Sequence, residues 1–151
     1  SFATAIGSEG VNLYALTAGK ELIAYDTTTS TVKWKVKVEG LGVDSIVCEA
    51  GLIYVNAGSF YVINGKDGGI LLERKSISYE GFMRTKPLLT DKRVFSCDSE
   101  GNLYIFNKSN LNMIQAINLE EDVMVNFYYK DKVIYIPTIA SNLYALDISL
   151  Y

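Results

Sequence analysis

The sequence predicts an all-β fold made of about four four-stranded antiparallel sheets, the last of them lacking its outer strand. Three observations lead there. An apolar phrase centred on an aromatic recurs as Asn12-Leu13-Tyr14-Ala15-Leu16, Leu52-Ile53-Tyr54-Val55-Asn56, Arg93-Val94-Phe95-Ser96-Cys97 and Val133-Ile134-Tyr135-Ile136-Pro137. Tyr14, Tyr54, Phe95 and Tyr135 thus follow one another at intervals of 40, 41 and 40 residues. A second apolar run ends each time in Asp or Asn, at Asp26, Asn64, Asn107 and Asp147, spaced 38, 43 and 40 residues apart. The runs are rich in Val, Ile and Tyr, which suit a pleated sheet, and none shows a helical period.

The repeats span approximately residues 1–39, 40–79, 80–119 and 120–151 and read as one partial domain. The first runs from Phe2 to Val38. In the second, strands at 44–49, 52–56, 60–64 and 70–75 are separated by Ala50-Gly51, Ala57-Gly58-Ser59 and Asn64-Gly65-Lys66-Asp67-Gly68-Gly69, whose residues favour tight turns. The third places strands at 84–90, 93–97, 102–107 and 112–119. The fourth has strands at 123–129, 132–137 and 142–148 and is one strand short. Phrases such as Leu13-Tyr14-Ala15-Leu16 and Leu143-Tyr144-Ala145-Leu146 are apolar at consecutive positions, which requires burial of both sheet faces. Sheets sandwiched between neighbours around an axis, the blades of a β-propeller, meet that requirement.

Four repeats short of one strand leave an unpaired edge near 142–148 and, unless four blades close on themselves, two uncovered blade faces. Cover is expected from further blades of a longer chain, from a second copy completing an eight-bladed ring, or from a partner's strand. The abrupt ends at Ser1 and Tyr151 favour further blades.

Composition excludes several function classes. Hydrophobic residues make up 49% of the 151 positions and charged residues 21%, which is the balance of a packed globule. The net charge of −3 and scattered basic residues argue against nucleic-acid binding; Lys33, Lys35 and Lys37 alternate as on a solvated outer edge. No apolar run approaches the roughly 18 residues of a membrane-spanning helix. Cys48 and Cys97 fall at unequal places in their repeats and read as buried free thiols, and with no histidine the commonest zinc ligand and general base is missing.

The most specific motif is Ala24-Tyr25-Asp26-Thr27-Thr28-Thr29-Ser30-Thr31-Val32-Lys33-Trp34. It resembles the tryptophan-docking motif A-x-D-x-x-x-G-x-x-x-W of the quinoprotein-type, or PQQ-like, propeller repeat, with Ser30 in place of the glycine. The resemblance implies that Ala24 packs tightly, that Asp26 closes the turn between strands and that Trp34 is buried between blades. Degenerate copies follow at Val62, Asn64, Gly68 and Leu72, at Ile105, Asn107, Leu111 and Gln115, and at Ala145 and Asp147. WD40 and kelch blades fit less well, since no Trp-Asp repeats and Gly68-Gly69 is a single diglycine.

The resemblance also raises a quinone cofactor. Enzymes of that kind resemble this chain in their blades alone; they have eight blades, a calcium site of acidic and amide ligands and often adjacent cysteines. No such set is assembled here, so no cofactor, metal or catalytic residue is expected. Asp98 and Glu100, before Gly101, read as turn residues projecting into solvent. Asn64 to Gly69 lacks the spacing of a phosphate loop, Glu120-Glu121-Asp122 reads as a solvated link, and the formal sequon Asn107-Lys108-Ser109 overlaps a turn position.

What remains is a surface. Propeller loops on the two ends of a rigid ring commonly hold partners, and noncatalytic PQQ-like propellers resemble scaffolds of extracytoplasmic assembly, cell-surface or sensor proteins. The expected role is a noncatalytic scaffold and protein-binding module, with a homo-oligomer left open. The alternative is a fragment of a larger enzyme whose catalytic site lies outside this segment.

Overall fold

Short apolar runs broken by Gly, Asn and Asp fold into antiparallel meanders. The computed structural model describes residues 2–151, so the start of the first repeat at Ser1 lies outside the described residues. The first sheet comprises β1 (Ala3–Glu9), β2 (Asn12–Thr17), β3 (Glu21–Asp26) and β4 (Thr31–Lys37). The second comprises β5 (Ile46–Glu49), β6 (Leu52–Ala57), β7 (Ser59–Asn64) and β8 (Ile70–Arg74). The third holds β9 (Leu88–Leu89), β10 (Arg93–Cys97), β11 (Asn102–Asn107) and β12 (Met113–Asn118), and the fourth β13 (Tyr128–Lys130), β14 (Val133–Pro137) and β15 (Leu143–Asp147). Strands pair in chain order within each sheet, and the fourth sheet has three strands. Among the described residues there is no α-helix, and a single 3₁₀ turn, Ile148–Leu150, follows β15.

Register makes the four sheets equivalent. Tyr14, Tyr54, Phe95 and Tyr135 all lie on the second strand, opposite Ala24, Val62, Ile105 and Ala145 on the third. Two entering strands are shorter than the sequence suggests. Pro87 has no N–H to give to a ladder, and the Lys86 N–H is taken by the Asn126 side chain, so β9 begins only at Leu88. In the fourth sheet, Val123 gives its N–H to the Ser99 carbonyl and packs in the core, and β13 begins at Tyr128.

Three separate hydrophobic cores hold the sheets face to face. Tyr14, Leu16, Leu22 and Ala24 meet Ile46, Ile53, Val55, Tyr61 and Ile63 between the first and second blades. Tyr54, Phe60 and Val62 meet Val94, Tyr104 and Phe106 between the second and third. Phe95, Cys97, Leu103 and Ile105 meet Ile134 and Ile136 between the third and fourth. Strands β6, β7, β10 and β11 are accordingly buried on both faces, whereas β2, β3, β14 and β15 alternate. Burial of both faces, expected of every blade, is thus confined to the two inner ones. At the inner ends, Asp44 of the second blade accepts from Asn126 of the fourth at 3.3 Å and from Lys86 of the third at 3.1 Å, so the entering strands converge on a common axis.

Candidate functional site

The docking-motif residues sit at the junction of the first two blades. Ala24 is fully buried and lies opposite Trp34. Trp34, on the outer strand β4, is partly buried against the core rather than fully enclosed. Its Nε1 donates to the Gly65 carbonyl of the second blade at 3.0 Å, and its ring lies 5.9 Å from that of Tyr14. Gly68 lets the indole approach: a Cβ there would stand 2.8 Å from the ring, and its φ of +78° disfavours any side chain.

Asp26 forms an Asx turn, its Oδ1 accepting from the Thr28 N–H at 2.8 Å, the Thr28 hydroxyl at 2.6 Å and the Thr29 N–H at 3.1 Å. The Thr28 hydroxyl, followed by the Thr29 and Thr28 amides, holds its carboxyl below the usual carboxylate range. Asn64, Asn107 and Asp147 repeat the device, accepting from the N–H two residues on. The glycine position of the motif needs a left-handed backbone in each finished copy. Ser30, Gly68 and Leu111 adopt φ of 56°, 78° and 60°.

Asp98 departs from expectation. It is fully buried, not solvated, and its carboxylate is an acceptor ringed by donors. Oδ1 accepts from the N–H groups of Glu100 at 3.1 Å and Asn102 at 2.9 Å; Oδ2 accepts from the Ser76 hydroxyl at 2.6 Å, the Tyr104 hydroxyl at 2.7 Å and Asn102 Nδ2 at 2.9 Å. Burial on that scale is tolerable because the donors replace water. Burial is also the main reason the Tyr104 phenol is pushed up to about 12, and it pushes the neighbouring Cys97 thiol up. Glu100, by contrast, is exposed as expected. Cys48 is only half-buried, its thiol pushed up to about 11 chiefly by desolvation.

The Asp98 network anchors a loop. Thirteen residues link β8 to β9, against eight between β4 and β5 and nine between β12 and β13. Tyr104 accepts from the Ile77 N–H at 2.8 Å, Asn102 Nδ2 donates to Ser78 Oγ at 2.8 Å, and Ser99 exchanges hydrogen bonds with the Phe82 backbone. Between these anchors the loop presents Tyr79, fully exposed, with Ile77 at 57% and Phe82 at 39% exposure. The cleft beside it is lined by Gly58, Ser59 and an ion pair of Glu39 with Lys75, and the lysine holds the Glu39 carboxyl below its usual range. Sequence reasoning missed this loop; its only signal was the greater length of the second connection. Among the described residues no three Cys, Asp or Glu side chains converge as a metal-binding group.

Four equivalent antiparallel sheets packed around an axis and joined by the docking motif define a PQQ-like β-propeller. Residues 1–109 match the family profile described as outer membrane protein assembly factor BamB, and the chain belongs to that family. No curated protein matches it in sequence. Among solved structures it is similar to BamB from Moraxella catarrhalis, at 10% identity and a TM-score of 0.80, with 95% of this chain covering 47% of that one. It is likewise similar to the computationally designed Ika4 protein, at 12% identity and TM-score 0.80, covering 99% of this chain and 92% of that one. The designed Ika8 protein follows at 12% identity and 0.79, covering 98% and 46%. The chain thus spans about half the length of BamB and of Ika8. Among the described residues no helix is long and apolar enough to cross a membrane.

Proposed function

We propose that this chain is a noncatalytic propeller module, a structural scaffold that binds a protein partner through the loop at 75–84. The observation that supports this reading is Tyr79, fully exposed at the tip of a loop whose base is tied to the buried Asp98. An exposed tyrosine offers a large contact area and only two side-chain torsions to freeze. A loop already held at both ends loses little further entropy on docking. The description of the family as an assembly factor fits a scaffold.

A photo-crosslinking residue placed at position 79, compared with one at position 35 on the exposed outer edge, tests the reading in cells that make the protein. The expected result is a discrete protein adduct at 79 that is absent at 35. Equal labelling at the two positions, or none at 79, rejects the loop as the binding surface.

A further inference from the structure

A cleft of about 520 Å³ lies between the third and fourth blades, at the opposite end of β10 from the Tyr79 loop. The β9–β10 hairpin brings Lys92 and Arg93 to it, the β13–β14 turn brings Lys132, and the 3₁₀ turn after β15 brings Ser149. Tyr129, Ile148 and Tyr151 give it an apolar wall. It is formed by turns inside the repeat array rather than by the outer face of a sheet, and its volume suits a small molecule.

The charges here are departures from the repeat. Register equates Thr90, Arg93 and Lys132 with Glu9, Asn12 and Gly51, which line the corresponding cleft of the first junction. There the groups satisfy one another: Glu9 accepts from the Gly51 N–H at 2.9 Å, and Asn12 accepts from Lys33 at 2.9 Å. In the third junction a threonine stands in place of the carboxylate, and cations stand in place of the two uncharged residues. The Lys132 backbone has a φ of +65° where Gly51 has +76°, so the turn itself favours glycine and the lysine is carried against that preference.

Arg93 is partly buried, and its side chain is held by one hydrogen bond, from Nη1 to the Lys92 carbonyl at 3.1 Å; its Nε is buried without a partner. Glu49, on the rim, is taken up by its ion pair with Lys108, and among the described residues Lys92, Arg93 and Lys132 are in no ion pair. Asp91 is then the remaining acid of the lining, against three cations. We infer that this cleft binds a phosphate monoester with an aromatic or apolar body. Three cations match a dianion, and the guanidinium fork takes two of its oxygens once the Nε edge turns toward the ligand. The ligand thereby supplies the acceptor that Arg93 Nε lacks, while Tyr129 and Tyr151 cover its body.

Calorimetric titration of the chain with phenyl phosphate is the test, with phenol, inorganic phosphate and vesicles containing phosphatidic acid as the other arms. Phenyl phosphate is expected to bind saturably and roughly tenfold more tightly than phenol or inorganic phosphate, because it alone engages both the cations and the apolar wall. Arg93→Gln and Lys132→Gly should each weaken it by roughly tenfold. Lys66→Gln, in the corresponding cleft of the first junction, should leave it unchanged. Lys132→Gly guards against a folding artefact: glycine takes the left-handed turn freely, as Gly51 does, so the urea midpoint should not fall while affinity does. No saturable binding, equal binding of phenol, an affinity that ignores Lys132→Gly, or binding confined to the vesicles overturns the proposal.

Discussion

Tyr14 and Tyr135 occupy the same register position, each on the second strand of its sheet and opposite an alanine, Ala24 or Ala145. Tyr14 is 1% exposed and closed over by the second blade, while Tyr135 is only half-buried. One local design therefore yields two environments. The difference is the neighbour: burial of the repeat aromatic is a property of the junction, and among the described residues no further sheet packs against the fourth.

Removing the indole of Trp34 should weaken the first junction. Trp34→Ala is expected to cost about 2 to 3 kcal/mol, below the ~3 to 5 kcal/mol of a fully enclosed aromatic, because the residue is only partly buried. Ala24→Leu, at a fully buried site facing Trp34, should cost about 1 to 3 kcal/mol through overpacking. Urea midpoints measure both, and an unmoved midpoint for Trp34→Ala contradicts the docking role.

The Asp98 hub should govern the order of the loop. Asp98→Asn presents an amide to donors that need an acceptor, so a loss of about 1 to 3 kcal/mol is expected. The informative readout is local. Proteolysis or hydrogen exchange at residues 76–82 should accelerate more than exchange in the Asp26 turn, and uniform acceleration across the chain argues against a loop anchor.

Stability should fall in alkali. Burial pushes the phenols of Tyr61 and Tyr104 up to about 12, while in the unfolded chain they ionise near ~10. Between those values the unfolded state has lost protons that the native state keeps, so stability declines as pH rises. Their contribution is complete below pH ~10 and lost as pH passes through about 12. Phenolate absorbance followed against pH should show a late phase from these two tyrosines, and Tyr104→Phe should remove part of it.

No intrinsic redox turnover is expected. With the quinone cofactor and calcium added, oxidation of alcohols or sugars should stay at the protein-free rate. Turnover that depends on residues of this chain reverses the noncatalytic reading.

Strand order, the aromatic register and the repeated Asx turns were all legible in the sequence, because each depends on neighbours within one blade. An Asp or Asn closes its turn through an N–H two residues away, and a meander pairs consecutive strands through connections too short to do otherwise. The shortening of β9 was half legible, in Pro87; its other cause, Asn126, lies 40 residues from Lys86. Tertiary structure alone decided the fate of Asp98 and of the outer faces. Asp98 reads as a turn residue until Ser76, 22 positions earlier, and Tyr104 on the next strand converge on its carboxylate and replace its water. Likewise Ala15 and Val55 carry the same pattern in sequence, and only the sheet packed against Val55 makes it a core residue while Ala15 stays partly exposed.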